Sequence, residues 1–319
     1  MHDHLNAHAS ISRRGFLAGS VAALCAASQA RGTPNPAEPI IDIHQHTNYR
    51  GRTDEELLAH QRTMGITQTI LLPAGSAVLR PSTHSGKSLG LAAGAGGNET
   101  VLAMSRAHPG EFLFGANEVT DLPEAPDVIE KYLKLGAVII GEQKFGVPCT
   151  SAESKLLYAL AAEYRVPILL HFQEGTYNLG YDEFGSMLKA FPKTMFIGHA
   201  QTVWANVDKN YTLEQGLYPK GPVTAGGLTE RYLDEYPNYF VDMSAGSGLN
   251  ALRRDPEFTR GFLERQQDKI LYGSDCNDRF GQGQQCQGAQ TIATIRELSA
   301  SKPIERKILY ENSKRLFRL

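Results

Sequence analysis

The sequence predicts a (β/α)8 barrel, and two observations support this fold class. Short apolar runs alternate with amphipathic segments eight times between Ile40 and Leu316. Several of the runs end in histidine or a carboxylate, at the strand ends where barrel enzymes build their sites. The rival doubly wound sheet would usually place a glycine-rich phosphate loop after its first strand, where this chain has His44-Gln45-His46.

The predicted elements follow in order along the chain. The strands are 40–46, 69–72, 112–116, 137–144, 167–172, 195–199, 239–243 and 270–273. The helices begin near 53 and then cover 99–107, 125–135, 152–164, 182–190, 228–236, a segment opening at 255, 289–298 and 304–316. Thr53 and Glu56 form a predicted capping box, and Asp255 followed by Pro256 is a strong helix start. Three histidines outside the strands, His60, His84 and His108, are expected at the surface.

Composition excludes several classes of protein. The chain has 319 residues, of which 41% are hydrophobic and 21% charged, the balance of a soluble globular protein. Its formal net charge of −2 argues against nucleic-acid binding, which needs a basic face, and against a polybasic membrane-surface protein. Four cysteines are too few for a disulfide scaffold.

The N-terminal segment 1–30 does not read as part of the fold. Ser12-Arg13-Arg14-Gly15-Phe16-Leu17 precedes an alanine-rich apolar run, with small residues at Ser28 and Ala30. This pattern resembles a twin-arginine signal peptide cleaved after Ala30. The resemblance implies the twin-arginine export machinery as a partner and a periplasmic or secreted protein. The apolar run is shorter than the roughly 20 residues that span a bilayer, so no membrane anchor is expected after cleavage. Residues 31–39 then form an extended lead-in to a single barrel domain, 40–319.

Chemistry-bearing side chains gather at the predicted strand ends. The set comprises His44, His46, Glu142, Lys144, His171, His199 and Asp275. Strand alternation puts Asp42, His44 and His46 on one face, which points inward in a closed barrel. Uncompensated polar groups would be costly there. A divalent metal removes that cost, because neutral imidazoles and a carboxylate are good zinc ligands.

The ordered motifs resemble the amidohydrolase superfamily, in the branch called amidohydrolase family 2. The residues that carry the resemblance are Ile41-Asp42-Ile43-His44-Gln45-His46, Leu170-His171-Phe172, Ile197-Gly198-His199-Ala200, Tyr272-Gly273-Ser274-Asp275 and the closing segment 308–316. That branch includes hydrolases, lactonases and the aminocarboxymuconate-semialdehyde decarboxylase group. The resemblance covers about residues 40–317 and implies a metal-dependent barrel enzyme.

The resemblance also implies roles for individual residues. His44, His46, His171 and Asp275 would bind a divalent metal, with Zn²⁺ the first choice. One ion is favoured, and two are possible. His199 would act as an acid or base in a one-metal site, or as a ligand of the second ion in a two-metal site. Asp275 would accept the proton of the attacking water.

Strand four leaves two interpretations open. Two-metal members of the superfamily bridge their ions with a glutamate or a carboxylated lysine at this strand end. Glu142 and Lys144 share parity, so both can face the site, and Glu142 is the preferred bridge because it needs no modification. The alternative is a structural ion pair between the two residues.

Three weaker features complete the sequence-based predictions. Arg279, just beyond Asp275, could clamp a substrate carboxylate, or it could be a solvated loop residue. Trp204 could line the substrate pocket, or it could pack over the barrel mouth. Cys276 and Cys286 could form a disulfide in an oxidising compartment, although two free thiols are slightly preferred.

The predicted function is metal-dependent hydrolysis of an amide, ester or lactone bond in a small molecule. The first alternative is a metal-dependent non-oxidative decarboxylase on the same site. Decarboxylases of this branch often carry a glutamate soon after the strand-six histidine, whereas here His199 is followed by Ala200-Gln201-Thr202. The second alternative, a non-catalytic periplasmic binding protein, should have lost metal ligands, yet all the expected positions are present.

Overall fold

The computed structural model describes residues 38–86, 88 and 94–319. Pro39–Leu319 form one compact unit. The proposed signal peptide and most of the lead-in lie outside the described residues. Within the described part, no helix is long and apolar enough to cross a membrane.

Eight parallel strands alternate with helices, which confirms the (β/α)8 fold. The strands are β1 (Ile41–Gln45), β2 (Gln68–Leu71), β3 (Phe112–Phe114), β4 (Ile140–Gln143), β5 (Ile168–His171), β6 (Phe196–His199), β7 (Tyr239–Asp242) and β8 (Ile270–Leu271). They pair in chain order, β1 to β3 and β4 to β8. Ala116 bridges to Ile140, and the Ile43 amide donates to the Tyr272 carbonyl at 3.1 Å, so the two sheets close into a barrel.

Helices surround the barrel. They are α1 (Asp54–Thr63), α2 (Asn98–Ala107), α3 (Ala125–Lys134), α4 (Ala152–Tyr164), α5 (Phe184–Ala190), α6 (Gln201–Ala205), α7 (Leu228–Glu235), α8 (Ala245–Arg254), α9 (Pro256–Arg265), α10 (Gln287–Leu298), α11 (Lys302–Arg306) and α12 (Asn312–Phe317). A π-helical turn, Lys307–Glu311, joins the last two. The capping box of Thr53 and Glu56 and the Asp255 cap are both present, as predicted. Sequence analysis did not predict α6 or α8.

Two apolar layers hold the barrel in shape. Ile41, Ile43, Ile70, Leu169 and Ile197 point into the barrel and are fully buried. A larger layer packs between the strands and the surrounding helices. The expectation that Asp42 lies on the inward face of β1 was wrong, because Ile41 and Ile43 occupy that face and Asp42 Oδ2 accepts from Gln61 Nε2 on α1 at 2.8 Å. The register of β1 shifts between Asp42 and Gln45, so the simple alternation of faces does not extend to His44 and His46. Packing on both sides holds the parallel strands in place, and the carboxyl ends of the strands position the side chains of the site.

Candidate metal centre

Four donor atoms converge at the carboxyl ends of β1, β4 and β8. His44 Nε2 and His46 Nε2 each lie 3.7 Å from Glu142 Oε2. Asp275 Oδ1 lies 3.9 Å from His44 Nε2 and 3.5 Å from His46 Nε2. These separations are too long for good hydrogen bonds and suit donors that share one cation. We call His44, His46, Glu142 and Asp275 the histidine–carboxylate centre.

The converging atoms lack other partners. Among the described residues, none provides a hydrogen-bond partner for the buried atoms His44 Nε2, His199 Nε2, Glu142 Oε2 or Asp275 Oδ1. Burying polar atoms without partners costs free energy, and the cost rises steeply for charged groups. A divalent cation would satisfy all the donors at once. The residues present therefore fit a bound metal.

Backbone and carboxylate acceptors orient the imidazoles. His46 Nδ1 donates to the Leu72 carbonyl at 2.7 Å, and His44 Nδ1 donates to Asp242 Oδ2 at 2.7 Å. His199 Nδ1 lies 3.0 Å from the Ser244 hydroxyl and 3.2 Å from Asp242 Oδ2. With each Nδ1 engaged, Nε2 of all three rings faces the centre, which is the arrangement that metal-binding histidines require.

Asp242 and Ser244 are further candidate site residues, which sequence analysis did not predict. Ser244 Oγ donates to Asp242 Oδ2 at 2.7 Å, so both belong to the layer that holds the rings. Burial raises the pKa of Asp242, but hydrogen bonds from His199 and His44 outweigh burial and lower the pKa to about 2. The sequence signal that could have revealed Asp242 is an aspartate at the end of the otherwise apolar seventh strand.

Charge balance keeps the acids of the centre ionised. Burial opposes ionisation of Glu142, but the Lys144 ammonium and the His171 ring outweigh it and hold its pKa well below the usual range. Burial also opposes ionisation of Asp275, and His44 and His46 likewise lower its pKa. Both carboxylates are therefore ready to bind a cation at neutral pH.

Histidines 44 and 171 differ in their protonation. Burial lowers the pKa of His44, but the charges of Asp275 and Asp242 outweigh burial and raise it well above its usual value. Burial and the Lys144 charge lower the pKa of His171 to about 3. A proton therefore competes with a cation at His44, and cation binding should release it.

The predicted ligand His171 lies in the site but on its far side. Its Nδ1 is 2.6 Å from Glu142 Oε1, the oxygen that faces away from His44 and His46. His199 Nε2 is 3.6 Å from the same oxygen. Glu142 thus presents one oxygen to the β1 histidines and the other to His171 and His199, which is the geometry of a bridging position.

The position of Lys144 argues against the predicted structural ion pair with Glu142. Among the ion pairs of the described residues, none joins Lys144 to Glu142. Lys144 Nζ lies 5.8 Å from the centre of the Tyr177 ring, and its side chain lines the cleft above the centre.

A cleft of about 350 Å³ opens above the centre. Its lining includes Tyr49, Arg50, Lys144, His171, His199 and Asp275. The charge of Asp275, followed by burial, raises the pKa of Tyr49, so its hydroxyl stays protonated as a donor. Two cations, two phenols, of Tyr49 and Tyr218, and one carboxylate thus face any small molecule in the cleft.

Two predicted substrate-binding residues lie elsewhere. The Arg279 guanidinium is half exposed, with Nη1 3.2 Å from Glu56 Oε1, and it does not line the cleft. Trp204 lies on α6 beneath the barrel mouth, where its ring packs 6.3 Å from the Phe262 ring. Its indole Nε1 donates to the Asp242 carbonyl at 3.0 Å. The local sequence does not reveal where such side chains point, and neither of the two lines the cleft.

The expectation that His60 is a surface residue was wrong. His60 on α1 is fully buried, and its Nε2 lies 3.5 Å from Cys286 Sγ. Cys276 and Cys286 are free thiols, with sulfurs 3.8 Å apart. His84 and His108 are partly buried, outside the histidine–carboxylate centre.

Comparison with known proteins agrees with this geometry. A family model for amidohydrolases matches residues 41–319. The chain belongs to the amidohydrolase family. A comparison with curated protein sequences finds no significant match.

Solved structures similar to this amidohydrolase share its fold at low identity. An uncharacterised TIM-barrel protein from Bordetella bronchiseptica is 15% identical, with a TM-score of 0.60, over 88% of this chain and 98% of that one. A probable 2-pyrone-4,6-dicarboxylic acid hydrolase from Acinetobacter baumannii, with citric acid bound, is 12% identical, with a TM-score of 0.55, over 88% and 99%. A dihydroxybenzoic acid decarboxylase from Polaromonas, with bound manganese, is 14% identical, with a TM-score of 0.54, over 88% and 97%. The similar structures include enzymes of more than one reaction class, and the likeness shows the fold of this chain without choosing a reaction.

Proposed function

We propose that the protein is a metal-dependent hydrolase that cleaves an ester, lactone or amide bond of a small, carboxylate-bearing molecule. The observation that carries the proposal is the convergence of buried donors without other partners beneath a cleft with a cationic wall. His44, His46, Glu142 and Asp275 would hold the first divalent cation, with Zn²⁺ the first choice. This set replaces His171 with Glu142, because Glu142 Oε2 is the oxygen that faces both β1 histidines.

A bound divalent cation supplies an acidic water and polarises a carbonyl oxygen. The chain supplies the rest. Asp275 is 8% exposed at the floor of the cleft and ionised, so it accepts a proton from the attacking water. His199, held by Ser244 and Asp242, faces the same space through Nε2 and can protonate the leaving group. Tyr49 offers a hydroxyl donor to the developing negative charge.

Arg50 and Lys144 favour an anionic substrate. Both line the cleft, and no acidic residue besides Asp275 lines it among the described residues. A carboxylate of the substrate would bind near Lys144, and this would orient the scissile carbonyl toward Asp275. His171 and Glu142 lie below this contact and hold its geometry.

Decarboxylation remains the second candidate, favoured by the same cationic wall. The residues after His199 favour hydrolysis, because Gln201 rather than an acid lines the cleft there. Gln201 Nε2 donates to the Tyr218 hydroxyl at 3.1 Å, which fixes an uncharged pair at this edge. This edge offers no carboxyl group to protonate a carbanion, so a decarboxylase here would depend on His199 as its proton donor.

A substrate panel in isotopically labelled water tests the proposal. The metal-loaded protein is incubated with lactones, esters, amides and aromatic acids, each carrying a carboxylate. We expect heavy oxygen in the product carboxyl group, with no release of CO₂. His44→Ala should abolish turnover, and His108→Ala, a histidine variant at the C-cap of α2 outside the cleft, serves as the control. CO₂ release without label incorporation would replace hydrolysis with decarboxylation.

We also propose export by the twin-arginine route, which rests on the Arg13-Arg14 motif and the 28–30 processing pattern. The expected mature N-terminus is at or near Arg31, and it should disappear when both arginines become lysine. N-terminal sequencing of periplasmic protein checks this. An intact Met1 form in the cytoplasm as the sole product would contradict it.

A further inference from the structure

A second group of metal-binding side chains lies outside the cleft. His60 comes from α1, Cys276 follows β8, and Cys286 caps the N-terminus of α10. The two sulfurs are 3.8 Å apart, and His60 Nε2 is 3.5 Å from Cys286 Sγ. The exposed fractions of the three residues are 0%, 2% and 0%. Together with Asp278, whose Oδ2 lies 3.7 Å from His60 Nε2, we call these residues the thiol cluster.

The hydrogen bonds of Gln61 set the tautomer of His60. Gln61 Nε2 donates to Asp42 Oδ2 and to Thr69 Oγ1, both at 2.8 Å. A carboxylate can only accept, so the amide oxygen of Gln61 must face the other way, where it accepts from His60 Nδ1 at 3.1 Å. His60 Nε2 therefore carries the lone pair and points it at the thiols. This is the outer-shell support that a metal-binding histidine has in known sites.

Backbone amides favour the anionic forms of the other donors. The Ala289 amide donates to Cys286 Sγ at 3.3 Å in the first turn of α10, where the helix dipole also stabilises a thiolate. The Phe280 and Gly281 amides donate to Asp278 Oδ2 at 3.0 and 2.7 Å. The cluster thus gathers a neutral imidazole, two thiols and a carboxylate in a buried place.

We propose that the thiol cluster is a second metal site, for a zinc-like divalent ion, with His60, Cys276 and Cys286 as ligands and Asp278 as the fourth donor. Tetrahedral zinc, with bonds of about 2.3 Å to sulfur and about 2.0 Å to nitrogen, sets two sulfurs about 3.8 Å apart and sulfur about 3.5 Å from nitrogen. The observed separations are 3.8 and 3.5 Å. The distances from Cys286 Sγ to Cys276 Sγ and to His60 Nε2 are therefore those that such an ion requires.

The four protein donors, with no coordination position left open, assign this site a structural role. Two thiolates, an imidazole and a carboxylate fill four positions, and none is left open for substrate. The ion would join α1 to the segment that follows Asp275. Arg52 supports the same segment, since its Nη1 donates to the carbonyls of Cys276 and Asp278 at 2.9 Å. The site therefore positions Asp275 without touching the substrate.

Cobalt substitution distinguishes the two metal sites in the full protein. Thiolate ligands give Co²⁺ an intense ligand-to-metal charge-transfer band in the near ultraviolet, and the histidine–carboxylate centre contains no sulfur. We expect this band in reduced, metal-stripped wild type titrated with Co²⁺. It should fall at least tenfold in Cys286→Ser and in Cys276→Ser. Cys149→Ser, which changes another buried thiol outside the cluster, should leave it unchanged.

The wild-type spectrum decides the proposal even where a variant fails to fold. Absence of the charge-transfer band with both Co²⁺ and Cd²⁺ would overturn it. A band that survives in folded Cys286→Ser would also overturn the ligand assignment. In the protein as isolated, non-reducing peptide mass spectrometry should recover Cys276 and Cys286 as thiols. A disulfide between them would assign the pair to cross-linking instead.

Discussion

The histidine–carboxylate centre and the thiol cluster share the segment that follows β8 but differ in donors and in access. The first presents nitrogen and oxygen beneath an open cleft, whereas the second is rich in sulfur and closed. Asp275 belongs to the first, and its neighbour Cys276 belongs to the second. Open metal sites perform chemistry and closed ones hold structure. Two adjacent residues after β8 therefore belong to two metal sites of different kinds.

The two groups are also held in place differently. The donors of the histidine–carboxylate centre stand at or next to strand ends, which the closed barrel fixes regardless of an ion. The thiol cluster draws on a helix, a loop and a helix cap, so its geometry depends more on the ligand. We therefore expect changes in the first to lower activity, and changes in the second to lower stability.

The largest effect is expected from Glu142→Gln. Glutamine keeps the size of the side chain but removes the charge that faces four imidazoles, so metal affinity and kcat/KM should both fall by more than about a hundredfold. Elemental analysis and steady-state kinetics measure these losses. A stable, metal-loaded and active variant would contradict the assignment of Glu142.

The same variant addresses how many ions the centre holds. Metal is counted in a Cys286→Ser background, where the thiol cluster no longer contributes. One ion per chain in that background is expected, with His199 left for proton transfer. Two ions, reduced by Glu142→Gln, would instead make Glu142 a bridge between the β1 histidines and the pair His171 and His199.

Asp242→Asn comes next in size. The amide oxygen carries no negative charge, so it accepts weaker hydrogen bonds from His44 and His199 than the carboxylate does. The rings are then held less firmly, and His44 loses a charged partner. Outer-shell changes of this kind cost about 10–100-fold in metal affinity or activity. Zinc affinity by competition with a chelator measures the loss. Unchanged affinity and rate would show that the barrel alone orients the rings.

The fold could be predicted from sequence because the strand signal is local. The strand predicted at 195–199 is observed at Phe196–His199, and its seven counterparts also lie within a few residues of their predicted ranges, since apolar runs mark a buried parallel sheet. Helix α8, Ala245–Arg254, was missed because its first turn is Ala-Gly-Ser-Gly, which has low helix propensity. Buried Ala251 and Leu252 stabilise it through packing, which no local pattern reveals.

The site could be predicted only in part. Strand order brings the ends of β1, β5, β6 and β8 together, so His44 and its predicted partners meet in the structure. His171 lies opposite the β1 histidines, across Glu142. That placement depends on side-chain rotamers, which the local sequence pattern does not reveal. The same holds for Trp204, directed into the core, and for His60, which α1 turns toward two cysteines.

Cys286→Ser tests the other half of the comparison. Losing one ligand of a closed metal site should lower the free energy of unfolding by a few kcal/mol, while kcat falls less than it does in Asp242→Asn. Denaturant melts with and without a chelator measure this, and Cys149→Ser serves as the control. Equal stability of wild type and Cys286→Ser in the presence of zinc would contradict a structural ion.

Lys144→Met addresses the cationic wall of the cleft. Removing one charge that binds a substrate carboxylate should raise KM about tenfold, which is equivalent to about 1.4 kcal/mol of binding. The matched control is Arg279→Ala, because that guanidinium contacts Glu56 away from the cleft. Steady-state kinetics of both variants are measured with a substrate and with its uncharged amide analogue, and only Lys144→Met should raise KM for the charged substrate. A larger effect of Arg279→Ala would restore the sequence-based prediction for that residue.

The smallest effect is expected at Asp255, which lies in neither group. Its carboxylate accepts from the Val223 amide at 2.9 Å and the Phe258 amide at 3.1 Å, and these bonds hold its pKa below the usual value. Asp255→Ala should cost about 1 kcal/mol, the usual value of a helix cap. Because the folded pKa is depressed, this stabilisation is complete above about pH 4 and is lost as the pH falls further. Denaturant melts at pH 7 and pH 3 measure this loss of stability.

A chelator separates Asp255 from the thiol cluster. The difference in unfolding free energy between wild type and Asp255→Ala should stay unchanged when a chelator is added. The difference between wild type and Cys286→Ser should disappear, since only the thiol cluster links stability to a metal. An equal response of both variants to the chelator would mean that the metal dependence of folding is not located in the thiol cluster.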